Sequence, residues 1–540
     1  MAKHYRSYSP DQMYLIAPDP RDWLSADHLA YQVRDLVNLF DLTLVHSAYS
    51  SDGRGAPAFS PQMMLCILLY AQYRGVFSSR SIARLCMDDV GARYLAAETF
   101  PDHRSIGLFR IRHKEAIREL FKQSIRLCRA AGMVPLKHVV IDGSKVAGAG
   151  SKERSRTLSF LMDEKARAMQ DELRLIEEQL RLKEEEEHLN AATEAMVQTG
   201  LDTDASEDAE LGEDNDGYSL PDHLKGSRER LAALEKAKAA LSSKQAKLDE
   251  AKEVLDARAK ERAARLKEEW DSTPAKERPH RKKPDPATAV AEAGDQYNFT
   301  DPQSRLMKCR GGYVQGYNAQ AGVDSAHQVI VACAVTEDCT DYRQLVPMAE
   351  QVLSNLGEMP EIILADGGYF SHRIISTLEA AEFKVLVPPG KRWQAQGCGA
   401  QELPQPQVCA AQETAAAQET AAAQEQHACV KVKERMHSLL ATEQGKADYA
   451  QRAKTVEPVF AQIKGSPGNP LFTRFLRRTR ERADQDWCMV CLGHNLRKLL
   501  RFRAKQKDDN VTTTQQPTVT KTKRRPEFGP RFTNMSLQGL

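Results

Sequence analysis

Two short apolar runs that each end in an aspartate and a glycine constrain the fold of this chain most. Residues 139–144 read VVIDGS and residues 362–368 read IILADGG. Short apolar runs that stop at a turn signal are typical of buried strands, and ligands collect at the carboxyl ends of strands in an open α/β sheet. The pattern therefore predicts two strands that end at Asp142 and Asp366 on one rim of a sheet. For either aspartate alone, capping of a turn is the alternative.

The segments around these runs predict the rest of an α/β fold. Two β-rich stretches, residues 316–323 and 328–335, predict a hairpin that turns near Asp324 and His327. A helical pattern through Leu345, Met348 and Val352 follows, and residues 384–387 (KVLV) predict one more strand. Strands that alternate with helices in this order predict a mixed sheet with helices packed on it.

A third acid lies in a helical segment near the end of the chain. Val456, Val459, Phe460 and Ile463 have the spacing of one apolar helix face, which predicts docking on the sheet. Glu457 and Lys464 lie about two turns apart along the edge of that face, where they can reach the strand rim. Surface positions are the alternative for both, and Pro458 predicts either a helix start or a kink here.

The first 133 residues predict a compact helical domain. Ser60 and Pro61 mark a helix start before an apolar run to Tyr70. Helical segments at residues 79–85 and 101–106, followed by a basic helix, resemble a helix-turn-helix DNA-binding unit. The basic side chains expected to contact DNA are Arg104, Arg110 and Arg112. An ordinary amphipathic helix with a solvated basic face is the alternative.

A long charged insertion, residues 158–297, interrupts the predicted sheet. Its first arm has heptad-like apolar positions at Met162, Ala166, Met169, Leu173, Ile176 and Leu180, and its second has leucines at 234, 241, 248 and 255. An acidic link between the arms predicts that they fold back as an antiparallel coiled-coil hairpin. Because Lys244 and Arg258 weaken the seam, we expect the arms to be stabilised by each other or by a second protomer.

Composition limits the remaining possibilities. The net charge is only +2, so a DNA-binding surface requires local segregation of charge. The 11 cysteines are scattered, and no apolar run approaches the roughly 20 residues of a membrane span, which predicts a reduced, cytoplasmic protein with no membrane partner. Cys488 and Cys491 are interpreted as part of an apolar helix face. A low-complexity loop is expected at about 390–434, and a disordered tail at 505–540.

Several stretches resemble the DDE transposases of bacterial insertion sequences. They are VVIDGSK, ILADGGY, and Tyr449-x-x-Arg452 leading into TVEPVFAQIK, with further similarity at residues 298–308, 312–324 and 487–499. The resemblance implies a ribonuclease-H-like catalytic core in two parts, residues 134–157 and 298–504. The segment after Val387 departs from the family pattern, since it carries a duplicated QETAAA sequence.

The resemblance also implies the chemistry. Asp142, Asp366 and Glu457 would be the catalytic residues and the ligands of two Mg²⁺ ions, with Mn²⁺ as a substitute. Tyr449, Arg452 and Lys464 would bind DNA. The implied partners are double-stranded DNA, namely the terminal inverted repeats of the element and a target, and a second copy in a homodimer located at a bacterial nucleoid. The alternatives are a ribonuclease-H-like nuclease without strand transfer, a catalytically silent DNA-binding protein and a coiled-coil scaffold.

Overall fold

A computed structural model of the chain describes residues 19–49, 57–207, 222–271, 282–309, 311–389, 430–466 and 469–514. The predicted helical block is present before residue 133. Helix α3 begins after the N-cap Ser60 with Pro61 in its first turn, as predicted, and its residues from Met64 to Gln72 are buried. The helices are α1 (Leu29–Val37), α2 (Thr43–His46), α3 (Pro61–Tyr73), α4 (Ser79–Asp88), α5 (Val90–Ala96), α6 (His103–Arg112) and α7 (Lys114–Ala130).

A mixed sheet forms the centre of the molecule. Its strand order is β4-β5-β1-β7-β8, and β6 pairs with the same edge of β5 as β4 but further along that strand. The predicted hairpin is confirmed as β5 and β6, whereas β4 was not predicted. The strands are β1 (His138–Ala147), β4 (Arg305–Cys309), β5 (Gly312–Asp324), β6 (Ile330–Thr336), β7 (Ile362–Ala365) and β8 (Val385–Leu386).

Strand β1 does not end at Asp142, so the prediction of a turn at residues 142–144 was wrong. The strand continues to Ala147 because its whole length from Val139 pairs with the long antiparallel strand β5. Its parallel pairing with β7 covers only residues 138–141. Asp142 is therefore at the end of the parallel pairing, but in the middle of its own strand.

Helices cover both faces of the sheet. Alternate residues of β1 point to opposite faces, and a Cβ at Gly322 of β5 would touch Val352 of α10 on the face opposite to Asp142. Asp142 faces α13, whose Arg452 contacts it. The helices of this half are α10 (Leu345–Leu356), α11 (His372–Ala380), α12 (residues 430–441), α13 (Glu443–Lys464) and α14 (Arg480–Thr514).

Pro458 lies inside α13 and neither starts nor ends it. A proline has no N–H to donate to the carbonyl four residues earlier, which here belongs to Lys454. That carbonyl instead accepts a hydrogen bond from Gln328 Nε2 at 3.0 Å. The helix therefore stays continuous, and Tyr449, Arg452 and Lys464 share one axis.

One apolar core joins the N-terminal helices to the sheet. Trp487 of α14 is 1% exposed, and its Nε1 donates to the carbonyl of Gln320 at 2.8 Å. Asn495 fixes the end of β6, since its amide both donates to the carbonyl of Ile330 and accepts from its N–H. Cys488 and Cys491 are buried on the apolar side of this helix, as predicted.

The insertion consists of two long helices, α8 (Leu158–Glu207) and α9 (Asp222–Asp271), above a two-stranded ribbon of β2 (Ser155–Thr157) and β3 (Gln296–Asn298). Lys165 contacts Asp249 and Gln245 contacts Glu172, so residue numbers fall on α9 as they rise on α8. The arms are therefore antiparallel, as expected.

The predicted seam of the first arm was wrong. Met162, Met169, Leu173 and Leu180 are exposed, and the buried positions of α8 are instead Leu158, Leu161, Ala168 and Leu182. The second arm agrees better, because Leu248 and Leu255 are buried against Leu158 and Leu161. Sequence periodicity had identified a regular apolar face of α8, but not the face that contacts α9.

Three further expectations concern the ends and loops. Residues 505–514 of the predicted disordered tail belong to α14, and residues 430–434 of the predicted low-complexity loop belong to α12. The remainder of both segments, 515–540 and 390–429, and the acidic link from 208 to 221 lie outside the described residues. No helix in the described ranges is both long enough and apolar enough to cross a membrane.

Candidate active site

The two aspartates predicted to share a rim are neighbours. Ile141 of β1 pairs with Ala365 of β7 as the last pair of the parallel register, so Asp142 and Asp366 both follow directly after it. The same Arg452 nitrogen, Nη2, lies 2.9 Å from Asp142 Oδ2 and 3.5 Å from Asp366 Oδ2. The sheet register therefore brings together two carboxylates that are more than 200 residues apart in the sequence.

Asp142 is the more buried carboxylate of the pair. Burial raises the pKa of Asp142 to about 6, Arg452 opposes that rise, and the negative charge of Asp366 adds to it. Asp142 Oδ1 accepts a hydrogen bond from the Gly143 N–H at 2.8 Å. This carboxylate is thus costly to ionise without more positive charge nearby, which is the electrostatic setting that a bound cation relieves.

Asp366 is more exposed and also has a local structural role. Its Oδ1 accepts from the Gly368 N–H at 2.9 Å and caps the short 3-10 turn Gly367–Tyr369. The turn-capping alternative therefore holds for this residue together with its place beside Asp142, because Oδ2 remains directed at Arg452.

Helix α13 supplies the basic and aromatic groups of the site. Lys464 donates to Ser144 Oγ, two residues beyond Asp142 on the same face of β1, and burial lowers the pKa of Lys464. Burial raises the pKa of Tyr449, which lies close enough to Arg452 for that guanidinium to oppose the rise. Three of the four helical residues in the predicted set thus border the aspartate pair.

Glu457 is the exception. Its side chain is exposed on α13, and within the described ranges it has no hydrogen bond or ion pair. Residues 452 and 464 contact β1, and Glu457 lies between them along the helix, about 7.5 Å from residue 452 at the helical rise of 1.5 Å per residue. The structure places Glu457 on the helix that covers the aspartates but does not bring it into contact with them.

The donors that are in place fit a hard divalent cation in part. Asp142 and Asp366 offer paired carboxylate oxygens, the ligand type that Mg²⁺ and Mn²⁺ prefer. Within the residues that the structure describes, no group of three or more His, Cys, Asp or Glu side chains is arranged to hold a metal ion. An ion held by the pair requires Arg452 to share or leave the space between the two carboxylates.

A polar cluster behind the aspartates was not predicted. Asp341 accepts from Lys145 Nζ at 2.9 Å, from Asn318 Nδ2 at 2.6 Å and from Gln320 Nε2 at 2.9 Å. A Cβ at Gly143 would lie 2.3 to 2.8 Å from atoms of Gln320, Asp341 and Asn318. Glycine is therefore required at 143 by the packing of this cluster, not by a turn.

Sequence patterns gave a partial signal for that cluster. Polar Asn318 and Gln320 alternate with alanines on β5, although the strand is buried throughout this part. Buried polar side chains need partners, so their alternation points to a shared one on that face of the sheet. Asp341 had no signal of its own, because it lies in a loop whose path depends on the tertiary fold.

The three arginines expected to contact DNA have different environments. Arg104 and Arg112 are exposed at the two ends of α6. Arg110 is buried, with its guanidinium 2.5 Å from Asp486 of α14 and hydrogen-bonded to the carbonyl of Phe77. Its expected place on a DNA-facing surface was wrong, because burial and pairing with Asp486 remove its charge from the surface.

Comparison with known protein families gives two matches. The family described as Transposase domain (DUF772) matches residues 18–112, and the family described as Transposase DDE domain matches residues 271–496. The second range includes Asp366 and the whole of α13, whereas Asp142 lies before the insertion and outside it. Searches of curated proteins and of solved structures found no match.

Proposed function

The chain belongs to the DDE transposases of insertion sequences, and we propose that it catalyses metal-dependent DNA cleavage and strand transfer at the ends of its own element. The observation that carries this proposal is the pairing of Asp142 with Asp366 at the end of the β1–β7 register, under a helix that bears Tyr449, Arg452 and Lys464. The expected reaction is attack on phosphorus by water and then by a DNA 3′-hydroxyl.

Asp142, Asp366 and Glu457 are the proposed ligands of two Mg²⁺ ions, with Mn²⁺ as a substitute. Two such ions stabilise the attacking and leaving oxygens of an in-line displacement. The raised pKa of Asp142 and its contact with Arg452 support a cation-binding role for this carboxylate. Glu457 completes the set only after a local movement of its side chain or of α13, since it is exposed and apart from the pair.

The basic groups of α13 have a separate proposed role. Arg452 and Lys464 lie at the aspartates and at Ser144 respectively, so their charges border the position of a reacting phosphate. We assign them to DNA phosphates, and Tyr449 to stacking on a base near the cleaved end. Arg452 is expected to exchange its carboxylate partners for a phosphate when DNA and metal bind.

The fold assignment is part of the same proposal. A mixed sheet with a hairpin on one side of the strand bearing the first acid, and parallel strands on its other side, supports a ribonuclease-H-like core. The exposed Arg104 and Arg112 of α6 support DNA contacts by the helical block. The proposed partners are double-stranded DNA with terminal inverted repeats, target DNA and a second copy of the chain, in a bacterial cytoplasm at the nucleoid.

The test uses the full chain, duplex DNA carrying the ends of the element, a target plasmid and Mg²⁺. Asp142→Ala, Asp366→Ala and Glu457→Ala are each expected to abolish cleavage and joining, while DNA binding is retained because these residues hold metal and not phosphate. Glu443→Ala is the matched control for Glu457, since Glu443 is an exposed glutamate at the start of the same helix.

The products distinguish the possible outcomes. Cleaved ends joined to the target plasmid support a transposase, whereas cleavage without joining supports a nuclease of the same fold. Retained cleavage in any one of the three variants removes that residue from the catalytic set. No cleavage by the unaltered chain in either Mg²⁺ or Mn²⁺ contradicts the proposed activity.

A further inference from the structure

Helix α8 carries an exposed apolar stripe on the side turned away from α9. Met162, Met169, Leu173 and Leu180 are all more than 40% exposed, and Leu173 reaches 60%. Contiguous exposed apolar surface on a polar helix is a mark of an interaction site, whereas isolated exposed apolar residues are ordinary. With the exposed Ala166 and half-buried Ile176, the stripe has alternating spacings of four and three residues, 162-166-169-173-176-180.

This spacing selects the kind of occupant. Apolar positions at an average interval of 3.5 residues pack against another helix with the same repeat, because each side chain fits between four side chains of the partner. The face of α8 that contacts α9 is already filled by Leu161, Ala168 and Leu182. A helix from another molecule is therefore the partner that matches the second face.

Charges beside the stripe favour a second copy in an antiparallel arrangement. Asp163 and Glu177 occupy equivalent positions on one flank, and Arg167 and Arg181 follow each of them by four residues. If Met169 lies opposite Leu173 of another copy, Asp163 lies near the other copy's Arg181, and Arg167 near its Glu177. A parallel arrangement instead brings Glu172 close to the other copy's Glu177 without that compensation.

Symmetry gives the same result. Two copies related by a twofold axis present one surface to itself, so a self-complementary surface is sufficient for a closed dimer. In the register described above the axis passes near residue 171, and the pairs Met162–Leu180 and Ala166–Ile176 repeat on both sides of it. Asp163, Arg167 and Glu177 have no ion pair within the described part of the chain, which leaves them available for these contacts.

We propose that the outer stripe of α8 is the dimerisation surface of this protein, and that it pairs antiparallel with the same stripe of a second copy. The inference deepens the dimeric assembly included in the proposed function and rests on it. It moves the contact from the leucines of α9, which lie in the inner seam, to the outer face of α8. The stripe is about 27 Å long at the helical rise of 1.5 Å per residue.

That length predicts a reversible dimer. Stable interfaces bury about 800 Å² on each partner, and a single helix face of five turns buries less than that. The mass of the full chain, measured by light scattering without DNA over a hundredfold range of concentration, should therefore rise from monomer to dimer. A monomer throughout that range overturns the proposal.

Two substitutions test the surface. Leu173→Lys is expected to keep the chain monomeric at concentrations where the unaltered chain is dimeric, while Leu44→Lys, at an exposed leucine of α2, leaves the dimer intact. Circular dichroism should show unchanged helix content in both, because both positions are exposed. A Leu173→Lys chain that still forms the dimer contradicts the proposal.

Cross-linking tests the orientation. Exposed Cys339 and the cysteines at 398, 409 and 429, which lie outside the described residues, are first replaced by Ser. Gln170→Cys is then expected to form a disulfide with its own copy under mild oxidation, since it lies beside the twofold axis, and Met162→Cys is not. The reverse pattern indicates parallel helices and contradicts the proposed register.

Association and catalysis are read separately. Asp142→Ala is expected to dimerise normally, because the stripe is remote from the aspartates in sequence and belongs to another element. If the unaltered chain cleaves DNA but stays monomeric, the dimer surface is wrong and the activity stands. If it dimerises through the stripe but does not cleave DNA, the activity is wrong and the surface stands.

Discussion

The catalytic sheet and the α8–α9 hairpin are both predominantly regular secondary structure, yet they are stabilised differently. The sheet belongs to a continuous core that also includes the N-terminal helices, and its buried polar groups are tied by bonds such as those of Asn495 to Ile330. The hairpin has a separate small cluster around Leu158, Leu161 and Leu248. The comparison shows where this fold invests its packing: in the strands that fix the carboxylates, not in the arms.

This difference also separates precision from adaptability. Carboxylates that hold metal need positions fixed by surrounding packing, and Asp142 has that support from both neighbouring strands. The arms meet through a narrow seam supplemented by ion pairs between long side chains, such as Lys244 with Glu164 at 3.0 Å. Exposed pairs of this kind contribute little to stability, so we expect the arms to bend or separate more readily than the sheet.

The largest expected effect comes from opening the sheet core at Trp487. Trp487→Ala should lower the free energy of unfolding by about 3–5 kcal/mol, because it leaves a large cavity between α14 and β5. Chemical denaturation of the full chain measures the change. Trp487→Phe, which removes the bond to Gln320 but keeps most of the volume, should cost clearly less. Equal losses in both variants would contradict a cavity as the main cause.

A smaller loss is expected in the hairpin. Leu248 is 3% exposed in the small cluster, and Leu248→Ala should cost about 2–3 kcal/mol, near the low end for buried leucines, because so narrow a seam can close partly around the gap. Hydrogen exchange should show faster opening of α8 and α9 while β1 and β5 remain protected. Faster exchange throughout the sheet would mean that the two regions unfold together.

The pH dependence of metal binding tests the electrostatics of the sheet region. Because burial raises the pKa of Asp142 to about 6, Mg²⁺ must displace a proton below that pH. Apparent Mg²⁺ affinity should fall about tenfold per pH unit below about 6 and level off above it. Titration calorimetry at several pH values measures this. An affinity that does not change between pH 5 and 7 would contradict a protonated Asp142.

The same shift has a consequence for the metal-free chain. A protonated Asp142 contributes stability that is fully present below its ordinary pKa of 3.8 and is lost as the pH rises through about 6. Added Mg²⁺ should therefore stabilise the chain more at pH 7 than at pH 5. Thermal unfolding with and without Mg²⁺ checks the direction, and Asp142→Ala should remove most of the difference.

The smallest effect is expected on the outer face of α8. Leu173→Ala should change the free energy of unfolding by no more than about 0.5 kcal/mol in dilute solution, because the side chain is 60% exposed in one chain. Denaturation at low concentration measures it beside Leu248→Ala. A loss as large as that of Leu248→Ala would show that Leu173 packs within the chain, and would remove the contrast between the two faces.

Much of the site was predictable from sequence because strands and helix faces have short repeats. The apolar runs before Asp142 and Asp366 predicted one rim, and the face through Val456, Val459 and Ile463 predicted a docked helix. Both appear in the structure. The position of Glu457 relative to the aspartates was not predictable in the same way, because it depends on how α13 is rotated and tilted on the sheet.

The sequence by itself determined which segments form helices and strands, and that two aspartates share one rim, because local periodicity and turn residues carry that information. The tertiary structure decided the rest. Only the pairing with β5 extends β1 past Asp142, only the packing of α14 buries Arg110 beside Asp486, and only the rotation of α8 against α9 exposes Met169 and Leu173. Each of these outcomes depends on a partner distant in sequence, to which a local repeat is insensitive.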